Sequence, residues 1–115
     1  MQKATLVMES RGFAAQVRST KLSNLWSRLY RAEGILLDMS CRPEGSGLRL
    51  QGQVLNAENT DKPLKGEISL YQDNQVFRTE LDAAGGFGFS LDAGYYRLEA
   101  KLAETSLEIN PFHLD

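Results

Sequence analysis

Apolar and polar residues alternate with a period of two along most of the chain. Residues 35–41 show the pattern most fully, because most of their apolar side chains fall on the odd-numbered positions. Alternation of this kind predicts a strand with one buried face. It recurs in residues 48–54, 67–71, 87–91, 96–102 and 107–109. Such segments, separated by turn signals, predict an all-β fold: an antiparallel Ig-like or transthyretin-like β-sandwich of about seven or eight strands.

The first part of the chain predicts further strands and one segment that departs from the β pattern. Residues 4–8 predict an edge strand, and residues 29–42 predict a hairpin that turns at Glu33-Gly34. Between them, apolar residues at positions 22, 25, 26 and 29 follow a helical stripe, with Ser19 or Thr20 available as an N-cap. Residues 27–32 fit a strand equally well. We therefore predict a loop or short helical turn near residues 10–26, followed by a strand from residue 27.

Turn residues separate the later segments. Residues 72–75 (Gln-Asp-Asn-Gln) lie between two strand-like runs and predict a hairpin loop. Residues 82–86 and 92–94 supply an aspartate for local backbone hydrogen bonds and a glycine for positive φ. Residues 44–47 (Glu-Gly-Ser-Gly) predict a flexible connection.

Length and composition are those of one globular domain over residues 1–115. The strands of residues 1–47 are expected to complete a core formed by residues 48–115, since the second part alone would make a small core. Hydrophobic residues are 42% and charged residues 24% of the chain, which excludes a disordered protein. No signal peptide or membrane-spanning run is recognisable, so the sequence predicts a cytoplasmic protein with no membrane partner.

The net charge is −2, and basic and acidic residues are unevenly distributed along the chain. Residues 1–49 carry eight basic and four acidic residues, whereas residues 50–115 carry five basic and eleven acidic ones. The basic part, with Trp26 and Tyr30 for stacking, would be the only nucleic-acid site. Because the rest of the surface is acidic, the composition argues against nucleic acid as a partner.

The second part of the chain carries a series of short motifs. It consists of Gly52-Gln53-Val54, residues 63–70 (PLKGEISL), Thr79, Asp82, Gly85, Phe87, Phe89 and residues 94–98 (GYYRL). Over about residues 48–110 it resembles the carboxypeptidase regulatory-like domain, a transthyretin-like sandwich related to Cna-B-type modules. The chain departs from the family pattern at Glu67, where the family has alanine, and by one extra residue after Asp82. The resemblance implies a sandwich core that includes Phe87 and Phe89, and no catalytic activity.

The sequence shows no combination of residues that is typical of a catalytic or metal-binding site. The single histidine, His113, and the single cysteine, Cys41, provide neither a nucleophile–base pair nor a zinc site. Asp73, Asp82 and Asp92 lie in predicted turns, where aspartates commonly bond their own backbone. We therefore predict that the protein is not an enzyme and has no catalytic residues, metal or cofactor.

A non-catalytic interaction module is the function that the sequence favours. The candidate partner-binding residues combine apolar and cationic side chains, as binding hot spots do: Phe13, Arg18, Leu22, Leu25, Trp26 and Arg28. The partner would be an unidentified protein, or a second copy of the chain that pairs through a sheet edge. In the alternative interpretation, Trp26 and Leu22 cover the core of the domain itself.

A small-ligand or carbohydrate-binding module is the alternative function. Sandwiches of this size often bind sugars through exposed aromatic side chains. The candidates for stacking are Tyr71, Tyr95 and Trp26, since both tyrosines fall on the polar phase of their strands.

Overall fold

The computed structural model describes residues 2–11, 25–59, 61–62, 64–103 and 105–114, and no helix occurs among them. Ten strands run through these residues: β1 (Gln2–Lys3), β2 (Thr5–Arg11), β3 (Trp26–Ala32), β4 (Ile35–Glu44), β5 (Gly47–Asn56), β6 (Gly66–Gln72), β7 (Gln75–Glu80), β8 (Gly86–Leu91), β9 (Gly94–Leu102) and β10 (Ser106–Leu114).

The strands form two five-stranded sheets. Sheet A has the order β1-β10-β9-β6-β7, and sheet B has the order β2-β3-β4-β5-β8. Each described strand pair is antiparallel except the short parallel pair of β1 and β10. The all-β sandwich predicted from alternation is therefore confirmed.

The apolar phase of the strands forms a core between the sheets. Sheet B contributes Leu37, Met39, Leu50, Val54 and Phe89, and sheet A contributes Ile68, Leu70, Leu98, Ala100 and Leu107. Cross-strand register explains why these side chains meet. Leu37 lies opposite Val54, for example, so that their side chains project to the same face. Sheet B contains strands from both parts of the chain, β2 to β4 and β5 with β8.

The sequence pattern did not anticipate β1, and it indicated β7 only as the strand-like run after the predicted loop of residues 72–75. β1 is only two residues long, too short to show alternation. β7 lies at the edge of sheet A and is largely exposed, with Phe77 as its partly buried apolar residue. An edge strand with one inward apolar side chain has almost no periodic signal, which is why the expected number of strands was too low.

The turns mostly follow their predicted chemistry. The hairpin between β6 and β7 closes at Gln72 and Gln75, with Asp73 at φ 48°. The prediction for residues 44–47 was wrong in one respect. Glu44 pairs with Gly47, and Gly45 adopts φ 59°, so this segment is a tight turn of the β4–β5 hairpin rather than a flexible connection.

Residues near 10–26 form strand at both described ends. β2 extends to Arg11, and β3 begins at Trp26, one residue earlier than predicted. The helical turn proposed for this stretch is therefore excluded at its two ends, where pairing between β2 and β3 continues to Arg11 and Trp26. Residues 12–24 lie outside the described part of the chain.

Candidate functional site

The edge strand β2 carries a run of exposed apolar side chains. Leu6, Val7 and Met8 are 44%, 56% and 60% exposed, and we refer to them as the β2 patch. Only two other large hydrophobic residues in the described part of the chain are exposed, Val76 and Tyr95. Three consecutive exposed apolar residues are uncommon on a surface strand, because alternation normally buries every second one.

The pairing of β2 explains this exposure. β2 is the last strand of sheet B and is bonded to β3 on one side. The register shifts between Leu6 and Met8, so Val7 is an extra residue in the ladder. A bulge of this kind interrupts alternation and redirects the side chains around it. On its other side, β2 has no strand partner among the described residues.

β2 is held in place from both sheets. The preceding strand β1 pairs with β10 of sheet A, and the Ala4 amide donates to the Glu108 carbonyl at 2.8 Å. Residues 2–11 thus run along one side of the sandwich and join both sheets. The β2 patch is therefore presented on a fixed strand rather than on a loop.

The first three strands contain more basic than acidic residues. β1, β2 and β3 contain Lys3, Arg11, Arg28 and Arg31, against Glu9 as the single acidic residue. Glu9 is engaged by Arg28, whose Nε donates to Glu9 Oε2 at 2.6 Å. Lys3 and Arg31 are exposed.

Trp26 and Arg28 lie inside the sandwich. Trp26 is 1% exposed and Arg28 is 9% exposed. The Arg28 guanidinium lies 4.1 Å from the centre of the Trp26 ring. Burial raises the pKa of the neighbouring Tyr30 above its ordinary value, while Arg28 acts in the opposite direction. Both candidate docking side chains are withdrawn from the surface, and this favours the interpretation of Trp26 as a core residue.

The remaining partner-binding candidates are not brought together in the described structure. Leu25 is half-buried and packs against the core. Phe13, Arg18 and Leu22 lie outside the described residues.

Tyr71 and Tyr95 lie on one surface, the outer face of sheet A. Tyr71 is opposite Arg97, and Tyr95 is two residues from Arg97 on β9, so the two tyrosines are diagonal neighbours. The Arg97 guanidinium lies 4.4 Å from the Tyr71 ring centre, and the Tyr71 hydroxyl donates to Glu99 at 3.3 Å. Tyr95 is 68% exposed and lies 4.6 Å from His113, ring centre to ring centre. Trp26, the third stacking candidate, is not on this face.

A polar groove of about 600 Å³ lies across β4, β5 and β8 on the side of sheet B. Arg49 donates to Ser90 Oγ at 3.2 Å, and Gln53 Nε2 donates to the Ala84 carbonyl at 2.7 Å. Burial raises the pKa of Asp38, which lines the same groove. None of the candidate partner-binding or stacking residues that the structure describes lines this groove.

The contacts of Asp82 and the burial of Cys41 give both residues a place in the fold. Asp82 Oδ1 accepts hydrogen bonds from the Ala84 and Gly86 amides, each at 2.8 Å, as predicted for a turn aspartate. Cys41 is buried on the apolar face of β4. Within the described ranges, no group of three or more histidine, cysteine, aspartate or glutamate residues could hold a metal ion.

The β2 patch was missed as a binding surface, although residues 4–8 were predicted as an edge strand. A signal was present in the sequence, since Leu6, Val7 and Met8 are consecutive and therefore break the alternation. A strand pattern cannot bury three successive side chains on one face.

Comparisons with known proteins gave no match to the chain, whether against family models, curated proteins or solved structures. In the part of the chain that the structure describes, no helix is long and apolar enough to cross a membrane.

Proposed function

We propose that this protein is a non-catalytic interaction module that binds an extended segment of a partner protein along β2. The observation that carries the proposal is the β2 patch, three consecutive exposed apolar side chains on an edge strand. A partner strand added there would extend sheet B through backbone hydrogen bonds and contact the apolar side chains of β2. Covering apolar surface contributes about 25 cal/mol for each Å² removed from water.

Membership of the carboxypeptidase regulatory-like family is part of the proposal. It is supported by the position of Phe87, Phe89 and Leu98 in the core, where a framework motif would need them. A cytoplasmic location also stays a proposal, with which a chain that contains a single cysteine is compatible.

A charge placed in the β2 patch should abolish partner binding. The Val7→Lys variant places an ammonium group at the centre of the patch, and Val76→Lys makes the same change on the opposite edge strand, where Val76 is 49% exposed. We expect proteins captured from native lysate by the unmodified chain to be retained by Val76→Lys and lost with Val7→Lys. Quantitative mass spectrometry measures the loss, and circular dichroism checks that both variants are folded. If Val7→Lys captures the same proteins as the unmodified chain, β2 is not the binding edge.

Binding of a carbohydrate is the second candidate function, favoured by the arrangement of Tyr71 and Tyr95 on one face. Tyr95 offers an exposed ring, and Arg97 with Glu99 offers planar hydrogen-bonding groups beside it. We expect cello- or chito-oligosaccharides to shift the melting temperature of the unmodified chain and not that of Tyr95→Ala. Flat titrations of tyrosine fluorescence across both series would rule out this function.

A further inference from the structure

We propose that the polar groove across β4, β5 and β8 binds a neutral oligosaccharide through hydrogen bonds. The groove has a volume of about 600 Å³. It is independent of the proposed function at β2, because β2 and β8 form the two opposite edges of sheet B. It is also separate from the surface with Tyr71 and Tyr95, which belongs to sheet A.

Two glycines of β8 leave room for a ligand in this groove. Gly86 lies opposite Gln53 and Gly88 lies opposite Gln51, so the glycines share one face of sheet B with the two glutamines. A Cβ atom at Gly88 would lie only 2.8 Å from Cζ of Arg49. Glycine within a strand is typical of places where another molecule or chain segment approaches the backbone closely. A ligand can therefore lie against the backbone of β8.

Two of the lining side chains are already held in place. Arg49 Nη1 donates to Ser90 Oγ at 3.2 Å, and Gln53 Nε2 donates to the Ala84 carbonyl at 2.7 Å. Both side chains retain further polar atoms, since a guanidinium has five N–H donors and an amide has a carbonyl acceptor and a second N–H. Side chains that are ordered before binding lose little conformational entropy when a ligand arrives.

Three further lining side chains have unused hydrogen-bonding capacity. Ser40 lies opposite Gln51, and Asp38 lies two residues before Ser40 on the same face of β4. Within the described residues, no hydrogen bond engages these three side chains. Partial burial raises the pKa of Asp38, because its carboxylate is removed from some water without gaining a partner. Hydroxyl groups of a ligand would supply the missing hydrogen bonds.

Charges of both signs lie in or beside the groove, so they select neither an anion nor a cation. Four acidic residues stand against three basic ones: Asp38, Glu44, Glu80 and Asp82 against Arg31, Arg42 and Arg49. A carboxylate accepts hydrogen bonds, a guanidinium donates them, and glutamine and serine side chains do both. Sugar hydroxyls, which both donate and accept, match this mixture without carrying a charge.

The groove offers little apolar contact to a ligand. Met39 and Phe87 are its large apolar lining residues, and they are 0% and 8% exposed. A peptide that bound through apolar side chains would find nothing there to receive them. The absence of an exposed ring also means that stacking contributes little, so we expect weak binding, with a dissociation constant of about 1 mM.

Titration of the full chain with cellohexaose, followed by two-dimensional ¹H–¹⁵N NMR, tests the proposal. We expect amide shifts that are confined to residues 38–40, 49–53 and 86–88. The glucosamine hexamer is a matched control, because it has the same linkage but carries ammonium groups. A galacturonate hexamer supplies the opposite charge. Both charged hexamers should bind no more tightly than cellohexaose.

Four variants locate the site. Asp38→Ala and Gln51→Ala should each weaken binding of cellohexaose about tenfold, as the loss of one or two hydrogen bonds to the ligand predicts. Tyr95→Ala and Val7→Lys change the sheet A surface and the β2 patch, and they should leave the dissociation constant unchanged. The NMR spectrum of each variant shows whether it is folded.

The contrary results are equally specific. The proposal is overturned if neither cellohexaose nor maltohexaose shifts the groove amides, or if Asp38→Ala and Gln51→Ala bind as tightly as the unmodified chain. Shifts centred on residues 95–97 that Tyr95→Ala removes would place carbohydrate binding on sheet A instead. Tighter binding of either charged hexamer would show that charge selects the ligand, which contradicts a neutral occupant.

Discussion

Replacing Trp26 by alanine is expected to lower the free energy of unfolding by about 3–5 kcal/mol, the usual cost of removing a large buried aromatic side chain. Trp26 is 1% exposed at the start of β3. The substitution would leave a cavity and would also remove the ring beneath the Arg28 guanidinium. Chemical unfolding in urea, followed by circular dichroism, measures the change.

Two variants show that the loss comes from the buried ring. Tyr95→Ala removes an aromatic side chain that is 68% exposed, and it should cost much less than Trp26→Ala. Trp26→Phe retains a ring and removes the indole Nε1, which has no hydrogen-bond partner among the described residues. We expect Trp26→Phe to retain most of the stability. A loss below about 1 kcal/mol in Trp26→Ala would mean that Trp26 is not a core residue.

Replacing Gly52 by alanine is expected to destabilise the protein by about 2 kcal/mol, through overpacking in the interior of sheet B. Gly52 lies on β5 between Met39 and Phe87 of the neighbouring strands. A Cβ atom there would meet the backbone carbonyl of Asp38, and it would lie 2.7 Å from Cζ of Phe87. Neither group can move without disturbing the sheet.

Gly88→Ala is the matched control for Gly52→Ala. Gly88 lies on the adjacent strand β8, and the three atoms nearest its added Cβ would all belong to the guanidinium end of the Arg49 side chain. A flexible side chain on the surface can move aside at little cost, so we expect a change within about 0.5 kcal/mol. Equal losses of stability in the two variants would show that the contacts of Gly52 are not specific.

The alternation of residues 35–41 and 96–102 was sufficient to predict the strands that form the centre of each sheet. Their inward residues, such as Leu37 and Leu98, are fully buried because a period of two matches the pleat of a half-buried strand. The aspartate of the β7–β8 turn was also predictable, since Asp82 bonds amides two and four residues away. These features depend on local sequence.

Features that depend on the assembly of the sheets were not predictable. Whether Trp26 is core or surface depends on the opposite sheet, and the sequence pattern left both interpretations open. The exposure of Leu6, Val7 and Met8 depends on β2 being the last strand of sheet B and on the bulge at Val7. No local pattern states which strand ends a sheet.

Site-specific photocrosslinking tests most directly the claim that β2 is the binding edge. Benzoylphenylalanine is placed at Val7 in one sample and at Val76 in another, and each full chain is irradiated in native lysate. The account predicts a discrete protein adduct from position 7 and no such adduct from position 76. Identical adducts at both positions, or none at position 7, would contradict it.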